Sequence, residues 1–228
     1  MNKLPELDDD GLITPEIGAW GEEKYRLVGT YAKMFATSMK GKWDCRVYID
    51  LFAGAGRARI KNTKRIIPAS PMIALDIGDK FDKYIFCDQD PLKIKVLQQR
   101  VLKDYPKVDS QFILGDTNKS VERILQEIPQ PRKGFKVLCF CFADPYNLEN
   151  LKFETIRKLS VRFMDFLVLI PSGMDANRNI SYYIKPANKV VDSFLGKPNW
   201  RDEWKPAEAE GENFGHYLTR QFGREMEA

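Results

Sequence analysis

Four short apolar runs, each closed by an aspartate, constrain this chain more than any other feature. They are Val47–Leu51 around Asp50, Tyr84–Cys87 leading to Asp88, Gln111–Leu114 leading to Gly115 and Asp116, and Lys136–Phe142 leading to Ala143 and Asp144. Apolar runs of this length, separated by helix-length stretches, read as buried strands. A regular alternation of strand and helix implies a parallel sheet with right-handed crossovers. The expected fold is therefore α/β and Rossmann-like, with a mostly parallel central sheet flanked by helices. Ligands of such sheets bind beyond the carboxyl ends of the strands. That is where the four aspartates would lie. One aspartate alone is better read as the N-cap of the following helix; four in register with a glycine turn favour a site.

The turn lies in Tyr48-Ile-Asp-Leu-Phe-Ala-Gly-Ala-Gly56. Gly54 and Gly56 lack a Cβ, so the backbone there can pass close under a ligand. Asp50 would repel a phosphate but attract a ligand with an amino-acid end. S-adenosylmethionine is such a ligand and is the cofactor we infer. Another adenosine nucleotide is the weaker alternative. The run Gly54-Ala-Gly56-Arg-Ala-Arg59 lacks the third glycine of a dinucleotide fingerprint, and the chain has no P-loop motif.

Composition narrows the class. At 228 residues and 43% apolar content, the chain can bury one domain or slightly more. The net charge of +4 is mild and neither requires nor excludes a nucleic-acid partner. Cys45, Cys87, Cys139 and Cys141 all fall in or beside strand runs without a C-x-x-C pair. They read as small core residues of a reducing cytoplasm, with no metal site. There is no signal peptide and no apolar run of membrane-spanning length. A cytoplasmic protein with no membrane association is expected.

Along the chain, residues 1–15 are acidic and read as loose. Residues 19–40 have helical spacing in Tyr25, Val28, Tyr31, Ala32 and Phe35. Residues 57–71 read as irregular and basic. Ser70 before Pro71, and Asp90 before Pro91, look like capped helix starts. Short helices are expected over 118–128 and 149–159, and a fifth strand over 163–170. Beyond Pro171 the pattern weakens: a helix over 188–194 ended by Gly196, Trp200 and Trp204 in a charged loop, and a last helix over 213–226. The two further strands that would complete a seven-stranded sheet are not evident, which suggests a truncated form.

Taken together, Tyr48–Gly56, Ala69-Ser-Pro-Met-Ile-Ala-Leu75, Phe86-Cys-Asp-Gln-Asp90, Ala143-Asp-Pro-Tyr-Asn-Leu148 and Asp165-Phe-Leu-Val-Leu-Ile-Pro171 resemble the three-Cys-motif partner (TcmP) family. The resemblance extends to Trp20 and Lys24 upstream, and to Arg178-Asn179, Phe194–Gly196 and Trp200 downstream. It spans roughly residues 16–205. That family is similar to class I S-adenosylmethionine-dependent methyltransferases and is named for its pairing with a three-cysteine-motif protein. Asn147 departs from it, standing where relatives often have glycine. The implied organisation is a loose segment 1–18, a methyltransferase-like domain 19–171 and a helical extension 172–228.

The resemblance assigns roles. Asp50, Phe52, Gly54 and Gly56 would surround the amino-acid part of the cofactor. Asp88, with Gln89 beside it, would accept from the ribose hydroxyls, and Asp116 from the adenine amino group. Tyr25 and Lys24 could reach the methionine carboxylate, although Lys24 reads more simply as solvated. Asp144-Pro145-Tyr146 looks like the D-P-P-Y motif of amino-directed nucleic-acid methyltransferases, short of one proline. In that reading Asp144 and the Pro145 carbonyl hold an exocyclic amine while Tyr146 stacks on the base. The alternative is a strand-ending turn with a packed tyrosine. The implied function is N-methylation of a nucleobase amine. The alternative function is a non-catalytic binding module acting through a three-Cys-motif partner protein.

The basic residues Arg57, Arg59, Lys61, Lys64 and Arg65 could meet phosphates. They are not interleaved with aromatics, which favours a solvated loop beside an acidic partner. His216 is given no role. The oligomeric state is not legible in the sequence.

Overall fold

The computed structural model describes residues 3–227. The chain divides into two compact units: residues up to 142 with 162–167, and residues 143–161 with 168 onward.

The first unit opens with β1 (Glu16–Ile17) and α1 (Trp20–Met39). It continues through β2 (Cys45–Asp50), β3 (Arg57–Ile60), β4 (Ile66–Pro68) and α2 (Ser70–Asp76). Then come β5 (Lys83–Asp88), α3 (Pro91–Asp104), β6 (Ser110–Leu114), α4 (Val121–Glu127), β7 (Val137–Ala143) and β8 (Met164–Val168). The central sheet runs β6-β5-β2-β7-β8. Counted along the chain, that is the order 3-2-1-4-5 of a doubly wound, Rossmann-like sheet. The pairs β2–β5, β2–β7 and β5–β6 are parallel. Every residue of β2 and β7 is buried, as a sheet covered on both faces requires. Packed on it are Phe35, Tyr48, Phe81, Tyr84, Phe86 and Phe140, whose ring centroids lie 5.2–6.3 Å apart in successive pairs. The α/β Rossmann-like fold expected from the four strand runs is thus the fold observed. Among the described residues no strand follows β8.

Two segments differ from the sequence expectation. Residues 57–68 are not irregular: β3 and β4 form an antiparallel hairpin, Arg57 opposite Pro68 and Arg59 opposite Ile66. The alternation was hidden because its inward positions are Ala58 and Ile60 while its outward positions are arginines. The hairpin turns near Asn62, whose φ of 61° suits a residue that tolerates the left-handed region. The acidic residues before 18 are not loose either. Leu7 bridges to Ile66, and β1 pairs with β3. Asp9 meets Arg59 at 2.7 Å, Asp10 meets Arg57 at 3.2 Å, and Glu22 meets Arg65 at 2.9 Å. The acidic partner of the basic segment is therefore the chain's own N-terminal segment and first helix.

Helix starts confirm one expected cap and correct another. The Asp90 carboxylate accepts from the backbone of Leu92 and Lys93. Ser70, by contrast, lies inside α2, which is capped by Ala69 without a side-chain hydrogen bond. The start is set instead by Pro71 in the first turn.

The second unit contains a 3₁₀ turn (Leu148–Asn150), α5 (Phe153–Leu159), a wide i→i+5 turn (Ser172–Ala176), α6 (Ile180–Tyr183), α7 (Val190–Leu195), α8 (Trp200–Ala209) and α9 (Phe214–Glu227). The single helix expected over 149–159 is split, because Asn147 and Asn150 close a capping box around the short turn. Gly196 ends α7 with φ 67°, as expected. Trp200 and Trp204 belong to α8, not to a loop. Both are buried, with Trp204 5.0 Å from Phe214 and 5.1 Å from Tyr217. Charged neighbours on the outer face of α8 masked this apolar stripe.

Candidate functional site

In the first unit, the loops after three parallel strands converge on one residue. Asp88, the last residue of β5, accepts from the Gly54 amide through Oδ2 at 2.7 Å and from the Asp90 amide through Oδ1 at 2.8 Å. Its carbonyl accepts from Gly115 at 3.0 Å. One residue thus ties together the glycine turn after β2, its own loop and the loop after β6. An ionised carboxylate has about four acceptor positions, and these bonds use two, so Asp88 retains acceptor capacity for a ligand. Gln89 beside it is exposed.

The glycine turn is built for close approach. Gly54 (φ 62°) and Gly56 (φ 83°) both adopt the left-handed region. A Cβ on Gly54 would meet nothing within 4 Å, so this backbone is open. A Cβ on Gly56 would lie 2.8 Å from Leu97 Cδ1 and 3.2 Å from Met72 Cγ. The first glycine leaves the backbone accessible; the second lets α2 and α3 close on it. Phe52 is half-buried within the turn.

Asp50 is the last residue of β2. It is fully buried, and its carboxylate accepts from Phe52 N at 3.1 Å and from Tyr48 Oη at 3.2 Å. Burial beside this carboxylate raises the Tyr48 hydroxyl pKa well above its ordinary value. Each Asp50 oxygen thus has a partner: Oδ1 holds the start of the turn at Phe52, and Oδ2 holds the Tyr48 hydroxyl. Asp116 caps the turn before α4 through Lys119 N at 3.2 Å. Tyr25 packs with Ala58, Ile60, Ile67 and Ala69, and the Lys24 ammonium lies 4.8–4.9 Å from the Tyr25 and Trp20 ring centroids.

Arg100 was missed in the sequence. This α3 side chain is 1% exposed. It makes a two-pronged contact with Asp10 (2.8 Å twice) and donates to Thr14 Oγ1 at 3.0 Å and to the Ile13 carbonyl at 3.2 Å. It also donates to the Ala55 carbonyl at 2.6 Å, between the two glycines. Its guanidinium lowers the Asp10 pKa to about 2. A lone arginine in a helix carries no signal for this, because the partner acid lies ninety positions away.

In the second unit, Asp144 is half-buried, Pro145 is buried and Tyr146 is 83% exposed. The packed-tyrosine reading of this motif therefore fails. The following turn is locked by the Asn147–Asn150 box and by Leu148 N donating to Asp175 Oδ2 at 2.7 Å. Asp175, in the wide turn, also accepts from Asn179 Nδ2 at 2.8 Å and Tyr183 Oη at 2.7 Å. Nothing in the sequence singled it out.

The cysteines are buried and free. Burial raises the Cys87 and Cys139 thiols to about 12. Among the described residues, no helix is long and apolar enough to cross a membrane, and no cluster of three ligand-type side chains is placed to hold a metal. A cavity of about 630 Å³ opens among Leu4, Leu7, Met72, Ile73 and Tyr105; Asp50, Asp88, Asp116 and Asp144 are not among its lining residues.

No family model matches the chain, and no curated protein matches it. Solved structures do. A Legionella pneumophila protein of a family of unknown function is 14% identical, with a TM-score of 0.46, 63% of this chain and 67% of that one covered. An Escherichia coli protein described as a candidate methyltransferase is 16% identical, with a TM-score of 0.42 and coverages of 74% and 73%. A SAM-dependent methyltransferase from Aquifex aeolicus is 15% identical, with a TM-score of 0.35 and coverages of 63% and 65%. At these values the likeness does not extend to chemistry; strand order alone defines the fold.

Proposed function

We propose that this chain is an S-adenosylmethionine-dependent methyltransferase that N-methylates a nucleobase amine, in line with its resemblance to the three-Cys-motif partner family. The observation that supports this most is the convergence of three strand-end loops on Asp88 beside the open backbone of Gly54. Fold alone would be a weak warrant. Here a carboxylate with spare acceptor positions sits next to backbone that a ligand can approach.

Bound S-adenosylmethionine would supply an electrophilic methyl group on a sulfonium. The chain's own residues would do the rest. Asp88 accepts from the ribose hydroxyls, with Gln89 beside it, and Asp116 accepts from the adenine amino group. Asp50 keeps the turn of Phe52, Gly54 and Gly56 in shape under the amino-acid end. Asp144 and the Pro145 carbonyl orient the acceptor amine, and Tyr146 stacks on the base. Positioning of this kind is the main contribution a protein makes to an in-line transfer.

Calorimetric titration with S-adenosylmethionine tests the reading directly. Wild type should bind and Asp88→Ala should not, while Asp144→Ala should bind yet transfer no methyl group to nucleic acid. Equal binding by wild type and Asp88→Ala would overturn the assignment.

One observation favours a second reading, a binding module for a partner protein. Trp20, Leu27, Tyr31 and Met34 are exposed at helical spacing along α1, an apolar stripe of the kind that marks interaction surfaces. That reading predicts no cofactor binding, together with partner capture that survives Asp144→Ala and is lost in Leu27→Glu.

A further inference from the structure

Residues 176–191 contain Arg178, Lys185 and Lys189 and no acid. Tyr182, 56% exposed, and exposed Ile184 lie among them. This interleaving of cations with an aromatic is what the hairpin cations around Arg59 lack. Lys189 lies 3.2 Å from Asp192 and is partly neutralised; Arg178 and Lys185 are exposed. The Lys185 ammonium sits 5.9 Å from the Tyr182 ring centroid, within the range of a cation–π contact.

The segment is also held in place. Arg201 donates to the carbonyls of Tyr183 (3.0 Å), Ile184 (3.2 Å), Lys185 (3.1 Å) and Asn188. Its guanidinium is paired with Asp192, which also accepts from Trp200 Nε1 at 2.8 Å. At the other end, Asp175 grips Asn179 and the Tyr183 hydroxyl. The same Asp175 carboxylate holds Leu148, two residues beyond Tyr146. One buried anchor thus joins the turn that follows Tyr146 to the helix that carries Tyr182. Backbone contacts are satisfied inward while aromatic and cationic side chains face solvent.

We propose that this face of the second unit, Tyr146 with Arg178, Tyr182 and Lys185, binds single-stranded nucleic acid. The tyrosines are base-stacking platforms and the cations contact the phosphates between them. Stacking is indifferent to base identity but demands unpaired bases, so duplexes are excluded as the preferred ligand. The inference rests on the nucleobase-methyltransferase reading for its role in catalysis, and specifies its substrate as unpaired RNA or DNA. Exposed Glu149, three residues from Tyr146 and with a charge that reaches Tyr183, is an acid that opposes binding.

The test is fluorescence anisotropy with a short labelled single-stranded RNA, its DNA counterpart and the matching duplex. Wild type should bind either single strand more tightly than the duplex; preference for RNA would add recognition of the 2′-hydroxyl. Tyr182→Ala should weaken binding about ten-fold, and Tyr182→Phe should restore it. The double variant Arg178→Ala with Lys185→Ala should lower the salt slope by about 1.4, two contacts at about 0.7 each. Glu149→Gln should tighten binding. Unchanged affinity in Tyr182→Ala, or equal affinity for the duplex, would overturn the proposal. So would an absence of strand binding in the wild type. Cofactor titration separates the two ideas: strand binding without cofactor binding refutes the methyltransferase and keeps the surface, and the converse refutes the surface alone.

Discussion

Replacing Asp10 by asparagine tests whether the N-terminal segment is a structural part of the first unit. Asp10 Oδ1 and Oδ2 each accept from Arg100 at 2.8 Å, and the Asp10 side chain is 14% exposed against 1% for Arg100. Asparagine preserves shape but leaves a buried guanidinium without a counter-charge. Breaking a fully buried pair by removing one partner costs about 3–5 kcal/mol; solvent at the Asp10 edge lowers that to about 2–3 kcal/mol. The titration argument agrees. A carboxyl lowered from 3.8 to about 2 corresponds to at most roughly 2.5 kcal/mol before screening. The sign follows from linkage: the folded pKa is depressed, so the contribution is complete above the unfolded pKa and is lost as pH falls toward the folded one. Urea denaturation followed by far-ultraviolet circular dichroism should show the variant less stable by about 2–3 kcal/mol at neutral pH. The gap should stay constant down to about pH 5 and close between about pH 4 and pH 2. A variant within about 0.5 kcal/mol of wild type, or a gap unchanged at low pH, would refute the reasoning. Because Arg100 also holds the Ala55 carbonyl, cofactor affinity should fall as well.

The two glycines of the turn should respond differently. Gly56→Ala combines positive φ with a clash against Leu97 and should cost about 2–4 kcal/mol in urea denaturation. Gly54→Ala meets open space, so its cost should stay near the conformational 1–2 kcal/mol while cofactor affinity drops further than stability. Cys87 and Cys139, with thiols near 12, should resist a thiol reagent at about pH 8 and react only when urea unfolds the chain; rapid labelling of native protein would contradict their burial. Trp204→Ala should destabilise by about 3–5 kcal/mol, as for other buried aromatics, and a melting curve unchanged from wild type would place Trp204 outside the core.

The strand positions were legible in the sequence because buried parallel strands are continuous apolar runs, and a run that ends in Asp or Gly announces where its strand stops. Asp90 was legible as a cap for the same local reason. What failed had distant partners. The hairpin β3–β4 became visible only through its pairing with β1 and with each other, and the Arg57, Arg59 and Arg65 charges meant little until Asp9, Asp10 and Glu22 stood opposite them. Trp200 and Trp204 looked loop-like amid charges until Phe214 and Tyr217 covered them.

The sequence by itself therefore determined the α/β class, the positions of the strand ends and the glycine turn, since each depends on residues close together in the chain. Only the tertiary structure decided that Asp50 faces inward, that Asp88 gathers three loops, that Arg100 ties the N-terminal segment to the turn, that Asp175 and Arg201 hold the backbone around Leu148 and Tyr183, and that Tyr146 and Tyr182 are exposed. The physical reason is that side-chain direction and hydrogen-bond partnership between remote residues are set by how elements pack, and local pattern contains no record of that packing.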